Sequence, residues 1–254
     1  IVIAEHEPQD ARLIRPPSTG GYGLDGIFNE DFHHSCRVAL TGLREAYFSD
    51  YLGTSREWLA LVERGCLFQG QYYTWQKQPR GTPALDRDPV QLICFLENHD
   101  QIANSAAGLR LIDLAGEAPW RAMTAYLLLG PWTPLIFQGQ ESGSDTPFRF
   151  FANHNADLQA RVVDGRREFL GQFTRFADEA VPSTAHPSIG EDVFDACRAG
   201  PDPPRAARCA RWFPCRMSWA PTGFSITTSR RTAAAMARTT ISASSTFTTV
   251  PMRR

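Results

Sequence analysis

Two carboxylates stand directly behind apolar runs. Glu5 ends the run Ile1-Val2-Ile3-Ala4, and Asp100 closes the cluster Asn98-His99-Asp100 behind Val90 to Leu96. Carboxyl groups placed around one bond are the minimal equipment for glycoside hydrolysis. One protonates the leaving oxygen, and in a retaining enzyme another attacks the sugar from its opposite face. The acid needs a raised pKa, which a partly apolar strand end supplies. Neither residue is decisive alone. Glu5 also reads as a solvated strand end, and Asp100 reads equally as a turn residue capping the next helix. The adjacent pair His33-His34 invites a metal reading. Neighbouring residues of a strand point to opposite sides, however, and no third ligand is evident, so no metal is expected.

The elements that must position these groups alternate. Residues 1–4, 24–28, 90–96 and 134–137 are short apolar runs suited to buried strands, and the last ends in Gln138-Gly139-Gln140-Glu141. Thr54-Ser55-Arg56-Glu57 has the spacing of a capping box, in which Thr54 and Glu57 satisfy each other's backbone donors. Trp58, Leu59, Leu61 and Val62 follow with helical spacing, and Gly65 is a stop. Pro119 suits a first helical turn; Ala122, Ala125, Tyr126 and Leu129 would share one face ending at Gly130-Pro131. A further short amphipathic helix is expected over 164–173. Strands alternating with helices imply a parallel sheet, and polar clusters at strand C-termini fit a partial (β/α)8 TIM barrel of about four strands.

The chain has 254 residues, a net charge of −1 and 43% hydrophobic residues. That supports a core and argues against a nucleic-acid or membrane-surface partner. The most apolar stretch, 123–137, is too short to span a bilayer and is broken by Gly130, Pro131 and Pro134. Six cysteines without a CxxC pair read as reduced core thiols of a cytoplasmic protein. No charged-then-apolar leader opens the chain, which starts as if inside a strand. Lys77 is the only lysine among 26 basic residues, as a G/C-rich gene would give. Residues 1–176 read as the folded domain and 177–254 as an atypical tail. Residues 201–254 hold nine arginines and one acid, Asp202. A shifted reading frame or a disordered segment explains this mixture better than a nucleic-acid-binding tail.

Phe95 to Gln101 resembles the fourth conserved region of the α-amylase family, glycoside hydrolase family 13, and Ile3-Ala4-Glu5 resembles its third, in the same order and separation. Within that family the likeness is to the malto-oligosyltrehalose trehalohydrolases. It extends through Glu5 to Asp10, Leu24 to Gly42, Gly70-Gln71, Pro134 to Glu141 and Gly165 to Leu170. It covers about residues 1–176, corresponding to barrel strands five to eight, and leaves the tail uncovered.

The resemblance implies roles. Glu5 matches the general acid/base, and Asp100 matches the carboxylate that binds sugar hydroxyls and stabilises an oxocarbenium-like transition state. His99 and Asn98 fall in the same sugar-binding segment. Asp31, Phe32 and His33 match the end of the sixth strand, where the family lines its cleft, and Glu141 matches an acid read as structural. Tyr22, Trp75 and Phe148 are candidates for stacking on sugar rings, with buried packing equally open. The family's nucleophile is an Asp in a G-x-R-x-D pattern preceding the acid/base strand. Nothing precedes Glu5 here, and Gly108-Leu109-Arg110-Leu111-Ile112-Asp113 is one residue too long and lies in the wrong place. The chain is therefore expected to be a fragment, unstable and inactive alone, of an enzyme that frees trehalose from a maltooligosaccharide-type substrate in trehalose biosynthesis. No cofactor is implied, and the implied partner is a metabolic one, maltooligosyltrehalose synthase. Amylase, branching or debranching chemistry is the sister reading. A non-catalytic remnant that still binds glucan is the alternative of another class.

Overall fold

The four apolar runs form one parallel sheet. In a computed structural model, residues 1–105, 108–150, 154–173, 215–220 and 223–228 are described. Strands β1 (Ile3–Ala4), β2 (Gly26–Phe28), β5 (Leu92–Cys94) and β6 (Thr133–Pro134) pair in that order. Ala4 lies opposite Ile27, Ile27 opposite Leu92, and Ile93 opposite Thr133. β1, β2 and β5 lie inside their expected runs and are shorter than them, whereas β6 begins one residue before the run 134–137 and shares only Pro134 with it. A hairpin of β3 (Tyr72–Tyr73) and β4 (Gln78–Pro79) lies between β2 and β5 in sequence. Because neighbouring strands are parallel, all their C-terminal ends share one edge of the sheet.

Helices fill the crossovers: α1 (Glu30–Thr41) and α2 (Ser55–Arg64) between β2 and β5, then α3 (His99–Ala103), α4 (Leu111–Ala115) and α5 (Glu117–Leu129) between β5 and β6. The last helix of this part is α6 (Ala156–Leu170). Residues 5–25 carry Pro8, Pro16 and Pro17 with Gly20, Gly21 and Gly23, and hold only short 3-10 turns at Ala11–Leu13 and Pro17–Thr19. The core joins Ile27, Leu92 and Cys94 of the sheet to Phe32 and Cys36 of α1, Leu61 of α2, Leu111 of α4, and Trp120, Met123 and Leu127 of α5. Phe32 stacks on Tyr126 at 5.6 Å and meets Trp132 at 4.8 Å.

Three details correct the sequence reading. Thr54 makes no cap bond; Glu57 instead accepts the amides of Leu52 at 2.8 Å and Gly53 at 2.6 Å, so the box spacing at α2 is used differently. The buried face of α5 is Trp120, Met123, Thr124 and Leu127, while Ala122 and Leu129 are exposed. The two faces differ by two positions, about 200° around a helix, and a helix rich in apolar residues offers both patterns. α6 begins at Ala156, eight residues before the expected start, because the Asn155 side chain caps it by accepting the Leu158 amide. Glu141 lies exposed in a 3-10 turn, Gln140–Ser142.

Cys36, Cys66 and Cys94 are buried and free, and burial pushes the Cys66 thiol up to about 12. Among the described residues no helix is long and apolar enough to cross a membrane. The chain divides into two compact units, 1–202 and 203–254. In the second, β7 (Cys215–Ala220) and β8 (Gly223–Thr228) form an antiparallel hairpin with Cys215 opposite Thr228. The sequence showed no strand period there; the rest of the expected atypical tail lies outside the described residues.

Candidate active site

Glu5 is the first residue beyond β1, and it is exposed. The loop it opens is pinned from several sides. The Gln9 amide donates to the His6 carbonyl at 2.9 Å, closing a turn with Gln9 at φ 58°. Gln9 Nε2 donates to the carbonyls of His6 and Phe28, both at 2.9 Å, and Gln9 Oε1 accepts the Glu30 amide at 3.2 Å. The loop is thereby tied to the end of β2. From the other side, Arg80 Nη1 donates to the Glu7 carbonyl, and the Gly81 amide donates to the Pro8 carbonyl at 2.7 Å. Gly81 sits at φ +74°, and a Cβ there would strike the Phe68 carbonyl, so only glycine suits this approach.

Asp100 lies in the first turn of α3, behind β5. Phe95 and Leu96 follow the strand as fully buried residues. Asn98 then starts the helix with a capping box: its Oδ1 accepts the Asp100 amide at 2.9 Å, and Gln101 Oε1 accepts the Asn98 amide at 3.1 Å. Asn98 itself is buried, and its Nδ2 has no hydrogen-bond partner. His99 and Asp100 are open, with side chains 59% and 48% exposed and His99 Nε2 3.5 Å from Asp100 Oδ1. Below them Glu97 is buried, accepts the Leu111 amide at 2.7 Å and lies 3.7 Å from Arg110 Nη1. Arg110 also donates to the carbonyls of Thr146 and Gln138, both at 2.8 Å. It is a structural arginine, and Asp113 lies in α4, in keeping with the reading of that G-x-R look-alike as a helix start.

The register therefore brings Glu5 and Asp100 to the same edge of the sheet, Glu5 on the loop behind β1 and Asp100 in the first turn of α3 behind β5, with β2 between the two strands. At about 4.8 Å per strand, those two strands run about 10 Å apart. One carboxylate-bearing segment thus lies on each side of the end of β2. Arg166 adds a cation near Asp100: it donates to Asn104 Oδ1 at 2.7 Å and covers the Phe150 ring at 4.6 Å. Burial lowers its pKa, and the charge of Asp100 opposes that shift.

The three residues expected to line the cleft behind β2 do not. Asn29 accepts the Phe32 amide at 3.1 Å and begins α1 at once, so Asp31, Phe32 and His33 lie in a helix and have no exposed surface. Phe32 is core. His33 Nδ1 contacts the Leu96 carbonyl at 2.6 Å, and its ring stacks on Phe95 at 5.2 Å. Burial, followed by the Arg37 charge, lowers its pKa to about 3 and keeps it neutral. His34 is adjacent on α1, and among the described residues no group of three or more His, Cys, Asp or Glu is arranged to hold a metal ion. Asp31 is saturated: it accepts Tyr51 Oη at 2.7 Å, the Leu67 and Phe68 amides at 2.9 Å, and Arg80 Nε at 3.1 Å. Of the aromatic candidates, Tyr22 is exposed, Trp75 packs on Tyr47 at 5.7 Å, and Phe148 packs on Phe137 at 5.2 Å.

Sequence reasoning missed Arg80, Gln9 and Glu30. Burial raises the Glu30 pKa to about 8; Arg80 opposes this, and Glu5, Glu7 and Asp31 add to it. His34 Nε2 lies 3.7 Å from Glu30, but burial also holds His34 well below its ordinary pKa. Near neutral pH this contact therefore joins two uncharged groups.

Comparison with known proteins gives the same direction. No family model matches the chain. It is 38% identical over 161 residues to the malto-oligosyltrehalose trehalohydrolase of Deinococcus radiodurans, covering 63% of this chain and 27% of that protein. It is 33% identical over 175 residues to that of Saccharolobus solfataricus, covering 68% and 31%. It is 37% identical over 184 residues to that of Arthrobacter ramosus, covering 71% and 31%. The chain thus spans about a third of the length of these relatives. A crystal structure of a protein assigned as an alpha amylase from Salmonella typhimurium superposes with a TM-score of 0.69 at 29% identity, over 83% of this chain and 36% of that one.

Proposed function

Because the chain is a relative of the malto-oligosyltrehalose trehalohydrolases of the α-amylase family, we propose that its first 176 residues are the C-terminal half of a retaining α-glucan hydrolase barrel. Glu5 is the general acid/base: it protonates the leaving oxygen and then takes a proton from water. Asp100 carries the negative charge that stabilises the oxocarbenium-like sugar, and His99 and Asn98 bind that sugar beside it. The substrate is a maltooligosaccharide ending in trehalose, cut at the α-1,4 bond next to that unit, and the setting is cytoplasmic trehalose synthesis beside the enzyme that makes the substrate. The attacking carboxylate is not among these 254 residues, so by themselves they bind glucan and do not turn it over.

The observation that carries this reading is the shared sheet edge of Glu5 and Asp100, each open to solvent just beyond its own strand, Glu5 on a loop and Asp100 in the first turn of α3. Asp31, Phe32 and His33 support the loops from inside and are left out of the substrate contacts. The test is to incubate the chain with maltooligosyltrehalose and measure both retention and free trehalose. Retention without trehalose release is expected. Trehalose release by the chain alone refutes the claim that the nucleophile is lacking, and absence of retention refutes the assigned sugar site.

A further inference from the structure

We infer that Arg80 is a positioning residue that fixes the Glu5 loop by bridging it to Asp31. This rests on the reading of Glu5 as acid/base and adds the group that aims it. Arg80 and Asp31 are both fully buried although they are 49 positions apart. Arg80 uses two nitrogens in two directions: Nε donates to Asp31 Oδ1 at 3.1 Å, and Nη1 donates to the carbonyl of Glu7, two residues beyond Glu5. Asp31 is held in turn by Tyr51 and by the Leu67 and Phe68 amides. The Arg80 guanidinium lies over the Tyr73 ring at 4.8 Å, which ties the hairpin of β3 and β4 to the same bridge.

The chemistry suits an arginine alone. A guanidinium presents donors in a rigid planar fork, so one side chain binds a carboxylate and a carbonyl at a fixed angle. A lysine ammonium supplies a point charge on a flexible stem and cannot hold that angle. Asp31 is anchored to the interior at the start of α1, so the bridge transmits the position of α1 to the Glu5 loop. A proton donor at a strand end needs such support, because loss of about 1 Å of placement costs about a hundredfold in rate.

The experiment compares the full chain with Arg80→Lys and Arg80→Met, labelled with 13C at the glutamate carboxyls. Amide exchange is read at Gln9, whose N–H closes the loop turn on His6, and at Leu96 and Val38 as interior references. In Arg80→Lys we expect the Glu5 carboxyl resonance to shift as its loop loosens. Gln9 exchange should rise about tenfold or more, the consequence of losing one charge-assisted hydrogen bond. The Glu57 and Glu97 carboxyl signals and the two interior amides should stay in place. Arg80→Met, which also strands Asp31, should show the same loop change with a larger loss of global stability.

No change at Glu5 and Gln9 in either variant overturns the inference. So does a change in Arg80→Lys that is equal at Glu5, Glu57, Glu97 and both interior amides, because the bridge is then only a folding element. Titrating the unsubstituted chain with maltotriose in the same spectra separates the two ideas. If the sugar leaves the Glu5 carboxyl signal unperturbed, the glycosidase reading fails while the bridge result stands.

Discussion

Replacing Glu30 by glutamine should change how stability depends on pH. Glu30 is 7% exposed, and burial raises its pKa from 4.5 to about 8. Between those values the folded chain holds a proton that the unfolded chain releases. Raising the pH therefore favours unfolding: the contribution is complete below about pH 4.5 and is lost as the pH climbs through 8. The gap between 4.5 and about 8 corresponds to about 5 kcal/mol at about 1.4 kcal/mol per pH unit. That is comparable to the whole stability of a marginal domain. Glutamine mimics the protonated acid in shape and cannot ionise. Glu30→Gln should match the original near pH 4.5 and exceed it by about 5 kcal/mol above pH 8. His33 acts in the opposite sense, since its lowered pKa contributes stability that is lost as the pH falls from 6.5 toward 3. That term is common to both proteins and cancels in the difference. Urea unfolding at pH 5, 6, 7 and 8 measures it. Two curves that stay parallel within about 1 kcal/mol would falsify the burial argument for Glu30.

Two further substitutions separate observed contacts from sequence patterns. Asn98→Ala removes a working capping box at α3 and should cost about 1–2 kcal/mol. Thr54→Ala, at a position whose box pattern is unused, should stay within about 0.5 kcal/mol; equal losses in urea melts would contradict the assigned caps. Arg110→Met removes the cation 3.7 Å from the buried Glu97 and should cost about 3–5 kcal/mol. Adding Glu97→Gln should recover part of that loss, and a thermal midpoint unchanged by Arg110→Met alone rules out a structural role for the pair.

The four strands were legible because each is a short apolar run followed by polar residues, a local signal. Glu5 and Asp100 were legible for the same reason: each follows its strand closely in sequence. Helix α5 was found, but its buried face was misread, since its apolar residues surround the helix and its packing against α1 and α4 decides which side is covered. Thr54 and Asn98 carry equally good cap patterns, and only one is used as such. At α2 the tight approach of Gly53 to Ala39 turns two loop amides toward Glu57, which accepts them.

The sequence by itself determined the order of strands and helices, the two carboxylates at strand ends and the kinship that gives them a role. Tertiary structure alone decided that Asp31, Phe32 and His33 face inward, because the helix start at Asn29 turns them into the core. It alone paired Arg80 with Asp31 and Arg110 with Glu97, across 49 and 13 positions. A buried charge is stable only beside its partner, and that partner comes from whichever distant segment the fold delivers, which no local pattern encodes.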